Sequence, residues 1–144
     1  MNRLLAIATF VATGCAPEAI PEVDAFECVD DNSLCASLAV PSGYDGTARE
    51  LFIGFYSDDN FNRPPDSQLN PVADPTVAPG EVYEFSRDGI EVSGDYYMMF
   101  VLYDIDGGNF IPEAGIDCVA ETARSYTFDG SPIQIEDLEL TYAE

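Results

Sequence analysis

The chain contains no histidine, no lysine and no tryptophan, and its only cations are Arg3, Arg49, Arg63, Arg87 and Arg124, set against 27 acidic residues. Without imidazole, Ser-His-Asp and Cys-His nucleophilic catalysis in their usual forms are excluded, as are the usual neutral-pH proton shuttle and every zinc or copper site that needs His. A formal net charge of -22 repels phosphate backbones and anionic headgroups, which disfavours nucleic acid as a partner and electrostatic docking on a membrane. Such a surface attracts cations, although carboxylates in this number also serve simply to keep a protein soluble. Hydrolysis by a carboxylate pair passes these filters, because it needs only two acids across a cleft. With 27 acids, finding such pairs in sequence identifies nothing.

No apolar run reaches the roughly 20 residues that span a bilayer as a helix. What is present is a core-forming composition, 47% hydrophobic and 12% aromatic in 144 residues, which suits one folded domain and is too apolar for an acidic disordered chain. The start reads Met1-Asn2-Arg3, then Leu4 to Val11 without a polar interruption except Thr9, then Ala12-Thr13-Gly14-Cys15. A positive end followed by a short apolar stretch has the plan of a secretory signal. The last four residues resemble the lipobox of bacterial lipoproteins, with Ala12 where that pattern prefers Leu. The resemblance implies that residues 1–14 are a signal peptide, that Cys15 is lipidated, and that several acyl chains hold the protein on a membrane. Ala16 in place of Asp after the Cys implies the outer membrane under the Gram-negative sorting rule. Residues 15–27, with Pro17 and Pro21 among acids, read as the lipidated N-terminus and a tether.

Residues 28–144 carry strand signals and nothing that reads as an amphipathic helix. Strands are predicted at 34–40, 51–56, 82–86 and 95–103, then a strand or bent pair over 118–128, and a last strand over 133–142. The run 95–103 is apolar on both parities, which predicts a central strand covered on both sides. In the last run Ile133 and Ile135 share one parity and Leu138, Leu140 and Tyr142 the other, so a β-bulge at Glu136-Asp137 is required to bring all five to the core. Six or seven strands with Gly/Pro turns predict an all-β fold, a single antiparallel β-sandwich. The proline-rich connection 57–80 reads as an extended crossover or, alternatively, a partner-binding loop. Gly94-Asp95-Tyr96 leading to Asp104-Ile105-Asp106-Gly107-Gly108 and on to Asp117 resembles the transthyretin-like and carboxypeptidase-regulatory-like β-sandwich modules of exported bacterial proteins. That likeness covers some 25 residues and implies a fold and a supporting or binding role, with no activity.

Asp104-Ile105-Asp106-Gly107 also opens like a calcium loop, with alternating oxygen donors before a tight turn, though it lacks the bidentate Glu and flanking helices of an EF-hand. If consecutive strands alternate in direction, the ends of the strands at Tyr56 and Tyr103 share a pole, and Asp58 and Asp59 approach Asp104, Asp106 and Asp117. Those five acids are the candidate calcium ligands. The same residues also suit a plain acidic hairpin, since Asp-Gly is a common turn dipeptide. Of Cys28, Cys35 and Cys118, at most one intramolecular bridge can form, and the turn before Cys35, which is expected to point outward from its strand, favours Cys28–Cys35.

The sequence thus predicts a non-catalytic, membrane-anchored envelope lipoprotein that binds a protein or glycan partner or has a structural role, with calcium as a candidate stabilising ion. A carboxylate-dependent hydrolase and a subunit of a larger secreted assembly are the alternatives. Cys15→Ala is expected to abolish membrane association and leave the domain folded. Equal recovery of mutant and wild type in the detergent phase of a partition assay would overturn the lipoprotein reading.

Overall fold

The computed structural model describes residues 26–144; the predicted signal peptide, Cys15 and the tether up to residue 25 lie outside the described residues. It is an all-β fold of two sheets around one core, and its strands in chain order are β1 Leu34–Ala39, β2 Ala48–Tyr56, β3 Ser67–Gln68, β4 Val72–Ala73, β5 Val82–Arg87, β6 Gly94–Asp104, β7 Cys118–Glu121, β8 Tyr126–Phe128, β9 Ile133–Glu139 and β10 Thr141–Tyr142. The smaller sheet has the order β5-β1-β9. The larger runs β10-β7-β6-β2-β3, with β4 also on β2 and β8 also on β6. The run 118–128 is therefore a bent pair, both halves bonded to β6.

Side-chain alternation decides which face of each strand is buried. Leu34, Ala36 and Leu38 of β1, Leu51, Ile53 and Phe55 of β2, and Met98, Phe100 and Leu102 of β6 meet in the core between the sheets. In β9 the register passes from Ala36↔Ile135 to Leu38↔Leu138, so three residues of β9 oppose two steps of β1. Asp137 sits there at φ 61°, in the left-handed region, and the extra residue brings Ile133, Ile135, Leu138 and Leu140 all to the core. Leu140 is the corner at which the chain leaves the small sheet for β10 in the large one.

Two features depart from the expected all-antiparallel pairing with strands alternating in direction along the chain. β1 and β9 pair in parallel, which the alternation of residues along a strand cannot reveal, because it reports faces and not headings. And β2 lies directly beside β6, antiparallel, with Ala48 opposite Asp104 and Tyr56 opposite Tyr97.

Cys28 is bridged to Cys35, with Cα atoms 5.6 Å apart. Cys35 does face away from Leu34 and Ala36, yet it is buried, because residues 26–28 lie across the outer face of the small sheet. Gln134, next to Cys35 in register, holds this segment from β9: its Oε1 accepts from Cys28 N at 3.1 Å and its Nε2 donates to the Phe26 carbonyl at 2.7 Å.

The proline-rich connection runs back along the free edge of β2 before crossing to the small sheet. Gln68 pairs with Gly54 and Val72 with Leu51, so an edge that would otherwise present bare amides is covered. Its first half folds over the outer face of the large sheet, where Phe61 packs edge-on to Tyr56 with centroids 5.0 Å apart. Gly54 makes room for this: a Cβ there would lie 3.0 Å from Cβ of Pro65 and 3.1 Å from the rings of Phe52 and Tyr56. Gly54→Val should therefore cost about 1–3 kcal/mol by overpacking and lift the loop. Limited proteolysis within residues 57–66 should become faster in the variant, and an unchanged cleavage rate with an unchanged melting temperature would show that the loop does not rest on the sheet.

Candidate functional site: an aromatic groove walled by an acidic loop

The outward-facing parity of β6 is as apolar as its inner one. Phe52 and Tyr56 of β2, Tyr97, Met99, Val101 and Tyr103 of β6, and Val119 of β7 point away from the core, and Tyr56, Val101 and Tyr103 are buried nonetheless. Phe52, Tyr56, Met99, Tyr103 and Val119 form the floor of a groove of about 1470 Å³ that also reaches Thr141 and Tyr142 of β10. One wall is the connection after β2, with Phe61, Arg63 and Pro65; the other is the loop after β6, with Asn109, Phe110, Ile111 and Pro112.

That second wall is built on Asp117. Its side chain is 0% exposed, and its carboxylate accepts three backbone N–H groups: Asp104 at 2.8 Å on Oδ1, and Gly108 at 2.8 Å and Glu113 at 2.6 Å on Oδ2. Gly107 passes so close that a Cβ would overlap the Asp117 carboxylate, which explains the glycine at that point of the turn. Asp104, 4% exposed, is satisfied separately: Oδ2 accepts the Tyr44 hydroxyl at 3.0 Å and Oδ1 accepts Asp106 N at 3.0 Å. From β2, Arg49 donates to the Gly108 carbonyl at 2.7 Å while its guanidinium lies 5.4 Å from the Tyr103 ring centroid. The far end is tied to the last residues described, Gly115 N to Ala143 O and Ala143 N to Asp117 O, both at 2.9 Å. With its base so held, the loop carries two large apolar residues into solvent at its tip, Phe110 at 93% and Ile111 at 79% exposure.

The five candidate calcium ligands do not converge. Because β2 and β6 are antiparallel neighbours, the ends at Tyr56 and Tyr103 fall at opposite poles, and Asp58 and Asp59 follow Tyr56 at the pole away from Asp104. Asp58 pairs there with Arg63 at 3.3 Å, and Asp59 is exposed. Asp104, Asp106 and Asp117 do share one loop, but the buried pair is met by N–H and O–H donors, whose positive ends occupy the places a cation would need. Among the described residues, no group of three or more Asp, Glu or Cys side chains is arranged to hold a metal ion. The loop curls around a carboxylate of its own.

Electrostatics at this end of the sheet follow from burial and these carboxylates. Burial, then Asp117 and Asp104, push the Cys118 thiol up to about 11, so it is a packed thiol without reactivity at neutral pH. Burial, with Asp117 next, pushes the Tyr103 hydroxyl up to about 12. Burial and the hydrogen bond to Asp104 raise the Tyr44 hydroxyl well above the usual range. At the other pole, hydrogen bonding to Arg63 holds the exposed Asp66 carboxyl below the usual carboxylate range.

Sequence reasoning singled out the acids of this loop and missed the groove beside them. The available signals were the doubly apolar run of β6 and the pair Phe110-Ile111 set within a polar loop. No protein-family model, curated protein or solved structure matches the chain.

Asp117→Ala strands three amides and is expected to lower stability by about 3–5 kcal/mol, while Asp106→Asn, at an exposed position, should stay within about 0.5 kcal/mol of the parent. Millimolar calcium should leave the melting temperature where it is. A calcium-dependent rise that vanishes in the double variant Asp104→Asn, Asp106→Asn would reinstate a cation site.

Proposed function

We propose that this chain is a non-catalytic binding module of the bacterial cell envelope, lipid-anchored through Cys15, and that the aromatic groove on its large sheet is the ligand face. The observation that carries this reading is a sheet face with apolar rings and aliphatic side chains turned outward and ringed by two ordered loops, one of which holds Phe110 and Ile111 in solvent. Apolar groups displayed in this way gain free energy only when another surface covers them. The groove offers rings, prolines and carboxylates, and its Glu50 side chain is engaged by Arg49 at 3.4 Å. That inventory serves contact better than proton transfer.

Position within the fold supports the anchored part of the reading. The chain enters the domain at residues 26–28, on the outer face of the small sheet, and the groove lies on the outer face of the other sheet. A module tethered on its entry side would thus offer the groove away from the membrane.

A soluble extract of the envelope, titrated into the isotopically labelled domain, is expected to shift the amides of Phe52, Tyr56, Tyr103, Phe110 and Ile111. Shifts confined to the β5 or β9 edge, or none, would refute the groove as the ligand face. Shifts at the groove that decay as a cleaved glycan accumulates would replace the binding module with a carboxylate-dependent hydrolase.

A further inference from the structure

Resting on that reading of the groove, we infer that its occupant is an extended, basic segment of another polypeptide, with arginine or lysine alternating with apolar residues.

Charge is the first argument. Four glutamates line the groove, Glu50, Glu121, Glu139 and Glu144, and among the described residues the cations at it are Arg63 and, over the Tyr103 ring, Arg49, which is already engaged by Glu50 and the Gly108 carbonyl. Arg63 is already committed, bonding to Asp66 at 2.9 Å and to Asp58 at 3.3 Å. Among the described residues Glu121, Glu139 and Glu144 form no ion pair. An anionic glycan, a nucleic acid or a second copy of this chain would meet like charge here, whereas a basic segment would bring the missing counter-charges.

The floor is the second argument, and it is independent of the acids. Two of its rings already carry guanidinium groups from this chain, Arg63 at 5.6 Å from the Tyr56 centroid and Arg49 at 5.4 Å from that of Tyr103. Phe52 lines the same groove with no guanidinium over its ring among the described residues. An arginine or lysine side chain can lay its stem along such rings while its head reaches a rim carboxylate.

Phe110 and Ile111 then supply the apolar contacts that charge does not. The floor crosses β3, β2, β6, β7 and β10, four inter-strand spacings or about 19 Å, which a chain of about six extended residues would bridge. In an extended segment alternate side chains face opposite ways, so one set can meet the floor while the other meets the loop tips.

The test uses three fluorescein-labelled octapeptides, alternating Lys-Leu, Ser-Leu and Glu-Leu, and a neutral chitooligosaccharide, each titrated against the domain by anisotropy. The Lys-Leu peptide is expected to bind about tenfold or more tighter than the Ser-Leu peptide, to weaken as salt rises, and to lose about threefold to tenfold in the double variant Glu121→Gln, Glu139→Gln. Phe110→Ala should weaken it as well, and both variants are at exposed positions, so unchanged melting curves certify the fold. Equal loss in a double variant on the far side of the domain, Glu84→Gln with Asp88→Asn, would mean non-specific attraction and overturn the inference. If the neutral peptide or the sugar binds as tightly and Phe110→Ala removes that binding, the basic segment falls while the groove stands as the ligand face. If no probe responds to any groove substitution, both fall.

Discussion

A carboxylate buried where β7 begins, that of Asp117, governs the loop that walls the groove on the large sheet. Among the described residues it forms no ion pair. Three backbone N–H groups, from Asp104, Gly108 and Glu113, converge on its two oxygens, and the segment between β6 and β7 takes its course from those contacts. Charge-assisted bonds of this kind are stronger than neutral ones, and leaving their donors without an acceptor in a buried setting is costly. The restraint is what allows Phe110 and Ile111 to stand in solvent at a defined place instead of collapsing onto the sheet. Arg49 adds a second hold from β2 on the Gly108 carbonyl and covers part of Tyr103, so loop and floor are joined by one side chain.

The opposite wall is held by packing. Phe61 lies against Tyr56 and Tyr97, and Pro65 occupies the space that Gly54 leaves open. β3 and β4 pair with β2 along its edge, so the connection that shapes the wall also closes the sheet on that side. The core between the sheets and the groove outside the larger one therefore draw on opposite parities of the same strands β2 and β6. This accounts for a long central strand with no polar face.

Local pattern in the sequence reports which way side chains alternate, and what depended on alternation was legible. The placement of the long strands, the bent pair after Cys118, the bulge at Glu136-Asp137 and the Cys28–Cys35 bridge all follow from parity and short spacings. What depended on which strands are neighbours was not. The parallel pairing of β1 with β9 and the direct pairing of β2 with β6 are long-range choices, and assuming simple alternation of strand direction brought Asp58 and Asp59 to the wrong pole. The Asp-x-Asp-Gly-Gly pattern left its partner open for a different reason. A tight turn with close backbone approach serves equally to aim oxygens at a cation or amides at a carboxylate, and the deciding residue, Asp117, lies nine positions beyond Gly108. The groove was visible only as two unexplained facts, the second apolar face of β6 and the apolar pair in the loop.

The account stands most directly on the order that Asp117 imposes, and amide hydrogen exchange of the wild-type domain measures it. The amides of Asp104, Gly108 and Glu113 should exchange as slowly as those of the paired residues of β6 and β7, because opening any one requires release of a buried carboxylate. If Gly108 and Glu113 instead exchange as fast as the exposed tip at Phe110 and Ile111, the loop is not held, and the groove has one wall instead of two.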